Sequence, residues 1–127
     1  MKTQIIGAAG EKIAKEYLIS KGYLIEAMNF HSKYGEIDII AKSDKYIVFV
    51  EVKTRKQFSI VSPAGAVTKS KRSKIIKTAF VYMESNIINM QPRFDVIEII
   101  TKDNGAKIKN INHIENAFCQ EEEYAAF

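Results

Sequence analysis

Two short runs of the sequence place acidic side chains inside otherwise apolar stretches. They are Gly35–Ile39 (GEIDI) and Val50–Lys53 (VEVK). In an extended strand alternate side chains share a face, so Glu51 and Lys53 point the same way, about 7 Å apart. Two carboxylates and a lysine on neighbouring strands are the groups that hydrolytic chemistry at a phosphate would need.

The turn between these two runs decides how Asp38 and Glu51 meet. A two-residue turn at 44–45 places Asp38 opposite Glu51. A turn one residue earlier places Asp38 opposite Phe49 and diagonal to Glu51. Either register puts both carboxylates on one face, where like charges destabilise a sheet.

A bound cation or a solvent-exposed position would each explain this acidic pair. A divalent ion held by Asp38 and Glu51 would compensate their charge, and oxygen ligands favour Mg²⁺. Alternatively, Glu51 and Lys53 lie at the solvent end of their strand and form surface ion pairs. Glu11 flanks the apolar stripe of the first helix, and a surface ion pair with Lys15 four residues later explains it adequately.

The positive charge of the chain is concentrated in one segment. The 127 residues carry a formal net charge of +4 with a sequence pI of about 9.1. From Lys53 to Lys77 there are eight basic residues and no acidic one. Such a surface suits a polyanionic partner, although a solvated basic face explains it as well.

Hydrophobic periodicity predicts the order αβββαββ. The expected elements are a helix over Ile5–Ser20, strands over Tyr23–Phe30, Glu36–Ala41 and Tyr46–Lys53, a loop over Gln57–Val67, a helix over Lys69–Ser85, a strand over Arg93–Thr101 and a last extended piece near Lys107–Ile111. The first three strands form an antiparallel meander, and the helical crossover makes the fourth strand parallel to one of them. The expected fold class is therefore α/β, with a mixed central sheet flanked by helices.

The second helix begins with an unusual cluster of cations. Its first turns carry Lys69, Lys71, Arg72 and Lys74, although the positive end of a helix dipole disfavours them. A bound anion would relieve this, so phosphate contact is favoured over a solvated helix. On a helical wheel Lys69 and Arg72 fall on the side of the apolar stripe, which predicts that they face the acidic end of the sheet.

Several other classes of protein are poor fits. The single cysteine, Cys119, excludes an internal disulfide, and one cysteine with two histidines does not build a zinc site. The apolar runs are too short to cross a bilayer and no signal peptide is recognisable, so we expect a cytoplasmic protein without a membrane partner. Without repeats or long linkers, residues 1–118 are expected to form one domain, followed by an acidic tail over 119–127.

Several motifs in order resemble a known family. GEID, then FVEVK and an arginine, a GE on the opening helix (Gly10-Glu11), a basic helix and a later RFDV resemble the YraN-type family of small bacterial proteins. The resemblance extends from Gly7 to about Phe118. That family belongs to the PD-(D/E)xK nuclease superfamily and is similar to Holliday-junction resolvases.

The resemblance implies a restriction-endonuclease-like core of order αβββαβ(β) and a set of site residues. Glu11 would match the helix-borne acid, Asp38 the aspartate of the second motif, and Glu51 with Lys53 the ExK motif. Ile37 departs from the generic pattern, which has proline there. Arg93 and Asp95 also match positions typical of the family, and Asp95 is expected to anchor a strand.

The implied activity is hydrolysis of phosphodiester bonds in DNA, branched or single-stranded forms included. Mg²⁺ or Mn²⁺ would be held by Asp38, Glu51 and the backbone carbonyl of Val52, and Lys53 would stabilise developing charge. The expected nucleic-acid contacts are Arg55, Lys69, Lys71, Arg72 and Lys74. The alternatives are a non-catalytic nucleic-acid-binding module of the same fold and an interaction subunit. A homodimer is suggested by analogy with resolvases alone.

Overall fold

The computed structural model describes residue 5, residues 7–58 and residues 67–119. These residues form two helices and one five-stranded sheet. The elements are α1 (Ala8–Ser20), β1 (Leu24–Ser32), β2 (Gly35–Lys42), β3 (Tyr46–Lys56), α2 (Lys69–Ser85), β4 (Gln91–Lys102) and β5 (Lys107–Phe118). The predicted order αβββαββ and the α/β class are confirmed.

The strands lie in the sheet in the order in which they occur along the chain. Strands β1, β2 and β3 form an antiparallel meander, β3 and β4 are parallel, and β5 is antiparallel to β4. The predicted meander and the predicted parallel pair are therefore both present. A parallel pair requires a crossover connection, and α2 lies within the one between β3 and β4.

Each helix covers one face of the sheet. On the α2 side, Ile76 and Ala79 pack in a buried cluster that includes Phe49. On the α1 side, Leu18 packs in a second cluster that includes Val48. Alternation of side chains along β3 thus supplies both cores, which explains why its run of apolar residues is continuous.

The first helix begins three residues later than predicted. It starts at Ala8, whereas the apolar spacing predicted Ile5. Gly7 precedes it with φ of 46°, a left-handed conformation that a helix does not continue through and that glycine adopts at little cost. The backbone N–H of Ile5 instead donates to the carbonyl of Gly105, 2.8 Å away.

The last strand is longer than predicted. It continues to Phe118, past the expected end near Ile111, and pairs with β4 over this length. The Phe118 ring is buried and stacks on Phe94 at a centroid distance of 5.3 Å. This packing, which local periodicity does not show, holds the second half of the strand on the sheet.

Two predictions concern, in part, residues that the structure does not describe. Of the predicted loop over Gln57–Val67, residues 59–66 lie outside the described residues, and so does the acidic tail except for Cys119. The division at residue 118 stays a prediction. Among the described helices, none is both long and apolar enough to cross a membrane.

Candidate active site

Strands β2 and β3 separate where the acidic residues lie. Their pairing ends with Ile39 opposite Val50, in the register set by a two-residue turn at 44–45. Next to this last pair, the Asp38 side chain takes the place of a backbone acceptor. Its Oδ2 accepts a hydrogen bond from the Val52 N–H, 2.8 Å away. One of the two predicted registers is thereby selected, the one that aligns Asp38 with Glu51.

An irregularity in β1 and β2 sets the direction of Asp38. Ile37 packs in the α2 cluster and Ile39 in the α1 cluster, although alternation would place both on one face. Opposite this break, Asn29 of β1 has a φ of 51°. Such local irregularities commonly re-aim a side chain beside a site.

Glu51 is buried among cations. Its side chain is only 5% exposed, and its Oε1 lies 3.5 Å from Lys53 Nζ and 2.5 Å from Lys71 Nζ. The alternative is therefore wrong in placing Glu51 at the solvent end of the strand, although the ion pair between Glu51 and Lys53 that it predicted is present. Burial of a carboxylate is expensive unless it is paired, and here two lysines pair with it.

The close approach of α1 to β3 brings Glu11 to the same place. Gly10 is buried, and a Cβ at this position would collide with Thr54 Oγ1. A side chain at residue 10 would therefore require Thr54 or the helix to move. With its amide nitrogen turned towards the helix, Asn29 donates to Glu11 at 3.1 Å (Oε1) and 3.2 Å (Oε2).

These residues line one cavity of about 310 Å³. Its lining comprises Gly7, Glu11, Asp38, Glu51, Val52, Lys53, Thr54 and Lys71. Burial and the Glu51 charge raise the pKa of Asp38 to about 7, and Glu11 adds to the effect. The structure thus brings together all four residues predicted to be catalytic, Glu11, Asp38, Glu51 and Lys53.

The beginning of α2 places Lys71 against this acidic cluster. Thr68 caps the helix, its Oγ1 accepting from Lys71 N–H at 3.1 Å. Burial disfavours the Lys71 ammonium, but its hydrogen bond to Glu51 outweighs this and raises the pKa of Lys71. One cation of the helix start therefore already has an anionic partner, a carboxylate of the protein itself.

The other predicted nucleic-acid contacts are distributed differently. The helical wheel predicted that Lys69 and Arg72 face the acidic end of the sheet. In the structure Lys71 is the residue that contacts Glu51. The side chains of Lys69 and Lys74 are exposed. The prediction is wrong for Lys69, whose side chain lies in solvent, and stays a prediction for the half-buried Arg72. Arg55 Nε lies 3.0 Å from Oε2 of the buried Glu98.

The donor set fits a hard divalent cation. Asp38 and Glu51 supply carboxylate oxygens, and Mg²⁺ is usually held by one or two carboxylates, the remaining positions going to water and substrate phosphate. The Val52 carbonyl points to the same side of β3 as its N–H, which donates to Asp38. Within residues 7–58 and 67–119, however, no three His, Cys, Asp or Glu side chains converge as a ready-made metal site.

Two contacts of this site were not predicted from the sequence. Asn29 contacts Glu11, but nothing in the sequence around it marks a site. Lys71 was predicted to contact phosphate, and its contact with Glu51 depends on how α2 packs on the sheet. A lone amide in a strand and one lysine among several carry no signal that distinguishes them.

The second buried aspartate lies in another polar cluster, on the α1 side of the sheet. Arg93 donates to Asp95 through Nε at 3.0 Å and Nη2 at 2.8 Å, and Asn116 N–H donates at 3.0 Å. His113 Nε2 lies 2.7 Å from Asp95 Oδ2. Burial opposes ionisation, but the hydrogen bonds from His113 and Arg93 prevail and lower the pKa of Asp95.

Comparison with known proteins places the chain in a family. The family model described as "Uncharacterised protein family UPF0102" matches residues 10–99. The chain belongs to this UPF0102 family. A UPF0102 protein of Caldanaerobacter subterraneus is 48% identical over 114 residues, which is 89% of this chain and 93% of that protein.

Other relatives match over a similar length. A UPF0102 protein of Syntrophomonas wolfei is 44% identical over 119 residues, with 89% of this chain and 96% of that protein covered. One of Clostridioides difficile is 48% identical over 113 residues, with 88% and 95% covered. The matched family segment includes Glu11, Asp38, Glu51 and Lys53 of this chain.

Proposed function

We propose that this UPF0102 protein is a metal-dependent nuclease that hydrolyses phosphodiester bonds in DNA, with a restriction-endonuclease-like core of the PD-(D/E)xK type. The observation that carries the proposal is the pair Asp38 and Glu51, buried side by side with Lys53 where two strands separate. A sheet gains no stability from two buried carboxylates in one cavity, so their placement points to a ligand.

The fold class is proposed on topology. A helix, an antiparallel three-stranded meander, a second helix and a parallel fourth strand form the order that the YraN-type resemblance implies. Glu11 on the opening helix completes the acidic set of that resemblance. Gly10, which lets α1 approach β3, accounts for the GE pair on that helix.

Asp38, Glu51 and the Val52 carbonyl would hold Mg²⁺ or Mn²⁺. When bound, the ion would polarise the scissile phosphate and lower the pKa of a coordinated water. Lys53 and Lys71 both lie beside Glu51. Their ammonium groups are placed to stabilise negative charge that develops on a phosphate in the cavity.

One observation favours a second candidate function, a nucleic-acid-binding module without catalysis. Lys53 and Lys71 both form ion pairs with Glu51 and so balance its charge within the protein. In that case the acidic cluster is a structural ion-pair network, and the basic helix start binds the DNA backbone.

Cleavage of a panel of DNA substrates tests the proposal. The panel contains linear duplex, single-stranded, flapped and four-way DNA, each with Mg²⁺ or Mn²⁺ and each with a chelator. We expect metal-dependent cleavage of at least one substrate by the wild type. Glu51→Gln and Lys53→Ala are expected to abolish it while leaving the fold intact.

The matched controls are residues of the same type on exposed positions. Glu36→Gln on β2 and Lys45→Ala in the turn before β3 should cut like the wild type. Wild-type rates in folded Glu51→Gln or Lys53→Ala protein would show that the assigned site is wrong. Binding of DNA without cleavage of any substrate would favour the binding module.

A further inference from the structure

A second cavity lies beside the candidate active site, at the ends of β3 and β5. It has a volume of about 300 Å³ and is lined by Arg55, Lys56, Gln57, Phe58, Ile100, Lys109, Asn110 and Asn112. Three of these side chains are basic and none is acidic. Arg55 pairs with the buried Glu98, so Lys56 and Lys109 supply the positive charge that suits an anionic ligand. We call this cavity the flanking groove.

The flanking groove lies next to the acidic cavity along β3. Lys53 lines the acidic cavity and Arg55 lines the flanking groove. The two residues alternate with Thr54 and therefore share a face, about 7 Å apart. A chain with regularly spaced negative charges that passes Lys53 would next meet the flanking groove.

Phe58 presents an aromatic ring to solvent at the end of this groove. Its side chain is 89% exposed, and its backbone has a φ of 66°, a left-handed conformation that is unfavourable for a bulky residue. The Lys109 ammonium lies 5.5 Å from the ring centroid. An exposed ring beside a cation is the arrangement by which proteins stack bases of unpaired strands.

The exposed Phe58 ring distinguishes an unpaired strand of DNA from a duplex. Paired bases are stacked within a duplex, and only an unpaired base can lie on the Phe58 ring.

We infer that the flanking groove binds an unpaired DNA strand, with one base stacked on Phe58 and a phosphate contacted by Lys109. Exposed Asn110 on β5 offers its amide to a base edge, whereas the amide of Asn112 donates to the buried Glu98 at 2.9 Å. The inference deepens the proposed function and rests on it for the claim that this strand leads into the acidic cavity. The substrate class is DNA with a single-stranded segment.

Binding of a fluorescently labelled thymidine oligonucleotide tests the inference without any cleavage. Fluorescence anisotropy is measured with a chelator present, for the wild type, Phe58→Ala and Phe58→Trp. Phe58→Ala is expected to weaken binding about 5- to 150-fold, the effect of losing one base-aromatic stack. Phe58→Trp is expected to bind like the wild type, because the larger ring still stacks.

The controls separate stacking from other effects. Ile87→Ala removes a side chain that is 83% exposed and lies after α2, away from the flanking groove, and should leave affinity unchanged. Lys109→Ala should reduce the slope of log affinity against log salt by about 0.7, the effect of one contact to a single strand. Lys45→Ala should leave that slope unchanged. Blunt duplex DNA should bind Phe58→Ala and wild type equally.

Three results would overturn the inference. They are equal oligonucleotide affinity of Phe58→Ala and wild type, an equal loss in Phe58→Trp, and an equal loss for blunt duplex. The nuclease proposal fails separately. If oligonucleotide affinity depends on Phe58 but no substrate is cut, the binding role of the flanking groove is supported and the nuclease proposal is contradicted. If a substrate is cut but Phe58→Ala binds the oligonucleotide like the wild type, the nuclease proposal is supported and the role of the flanking groove is contradicted.

Discussion

Asp38 and Asp95 are two buried aspartates of one sheet with opposite surroundings. Asp95 is fully buried and receives hydrogen bonds from Arg93 and the backbone of Asn116, with His113 beside it. Asp38 accepts from the Val52 N–H and otherwise faces carboxylates. The pKa of Asp95 is accordingly lowered, whereas that of Asp38 is raised to about 7.

This difference indicates that Asp95 stabilises the fold, whereas Asp38 belongs to a candidate ligand site. The Asp95 carboxylate is satisfied within the protein, and its partners lie on β4, on β5 and, through Tyr17 next to His113, on α1. Within the part of the chain that the structure describes, no cation forms an ion pair with the Asp38 carboxylate: Lys53 and Lys71 both pair with Glu51, and Lys71 interacts with Asp38 only over a longer distance. A charge that the fold does not balance is one that a ligand can balance.

The largest effect is expected from Asp95→Asn. The substitution keeps the shape but removes the charge that faces Arg93, whose side chain is 12% exposed. Breaking a buried pair in this way should lower the free energy of unfolding by about 3–5 kcal/mol, measured by urea denaturation at pH 7. Glu84→Gln, at an exposed position on α2, is the control and should change it little. If the free energy of unfolding changes as little as in the control, Asp95 does not stabilise the fold and its contrast with Asp38 is contradicted.

The second largest effect is expected from a divalent ion. Mg²⁺ or Mn²⁺ at 100 times its dissociation constant should stabilise the wild type by about 2.7 kcal/mol through mass action. The shift in melting temperature should be smaller for Asp38→Asn, because one ligand is weakened. Lys71→Ala should show a larger shift than the wild type, since its ammonium no longer competes for Glu51. Equal shifts in melting temperature for the wild type and Asp38→Asn would show that the ion does not bind in the acidic cavity.

The pH dependence of stability sharpens the contrast. Because the folded-state pKa of Asp38, about 7, lies above the ordinary 3.8, the folded protein binds more protons than the unfolded one between these values. Ionising Asp38 therefore costs stability as pH rises through this interval. Asp38→Asn should raise the free energy of unfolding by roughly 1–3 kcal/mol at pH 8 and change it little at pH 4.

The reference for this experiment is the wild type followed by urea denaturation from pH 4 to pH 8. Asn can still accept from Val52 N–H, so the variant removes charge without removing the hydrogen bond. If the difference between variant and wild type stays constant across this range, Asp38 does not titrate as described.

The smallest effect concerns the basic start of α2. Lys69 and Lys74 are exposed and do not take part in the Glu51 pair. Replacing both by alanine should reduce the slope of log DNA affinity against log salt by roughly one to two units, with little dependence on DNA sequence. Anisotropy across a salt series with a chelator measures this. The control, Lys21→Ala with Lys45→Ala, removes two exposed lysines elsewhere. An unchanged slope for Lys69→Ala with Lys74→Ala would leave these two residues as solvated surface.

Local patterns predicted much of the fold. The helix over Lys69–Ser85 has the expected bounds, and the meander with its parallel fourth strand is present, because apolar periods and turn residues act over a few positions. A two-residue turn at 44–45 also predicted that Asp38 lies opposite Glu51. The regular alternation assumed along β2, however, fails between Ile37 and Ile39. Boundaries failed where distant contacts decide them, as at Phe118, whose ring is held by Phe94.

The sequence by itself determined which elements form and that Asp38 lies opposite Glu51, since the elements follow from apolar periodicity and this register follows from a two-residue turn at 44–45. Only the tertiary structure decided that Lys71 pairs with Glu51, that Asn29 contacts Glu11, and that Asp95 is satisfied while Asp38 is not. The physical reason is that the ionisation of a buried carboxylate depends on donors and charges within a few ångströms. Those groups come from positions far apart in the chain, and packing alone brings them together.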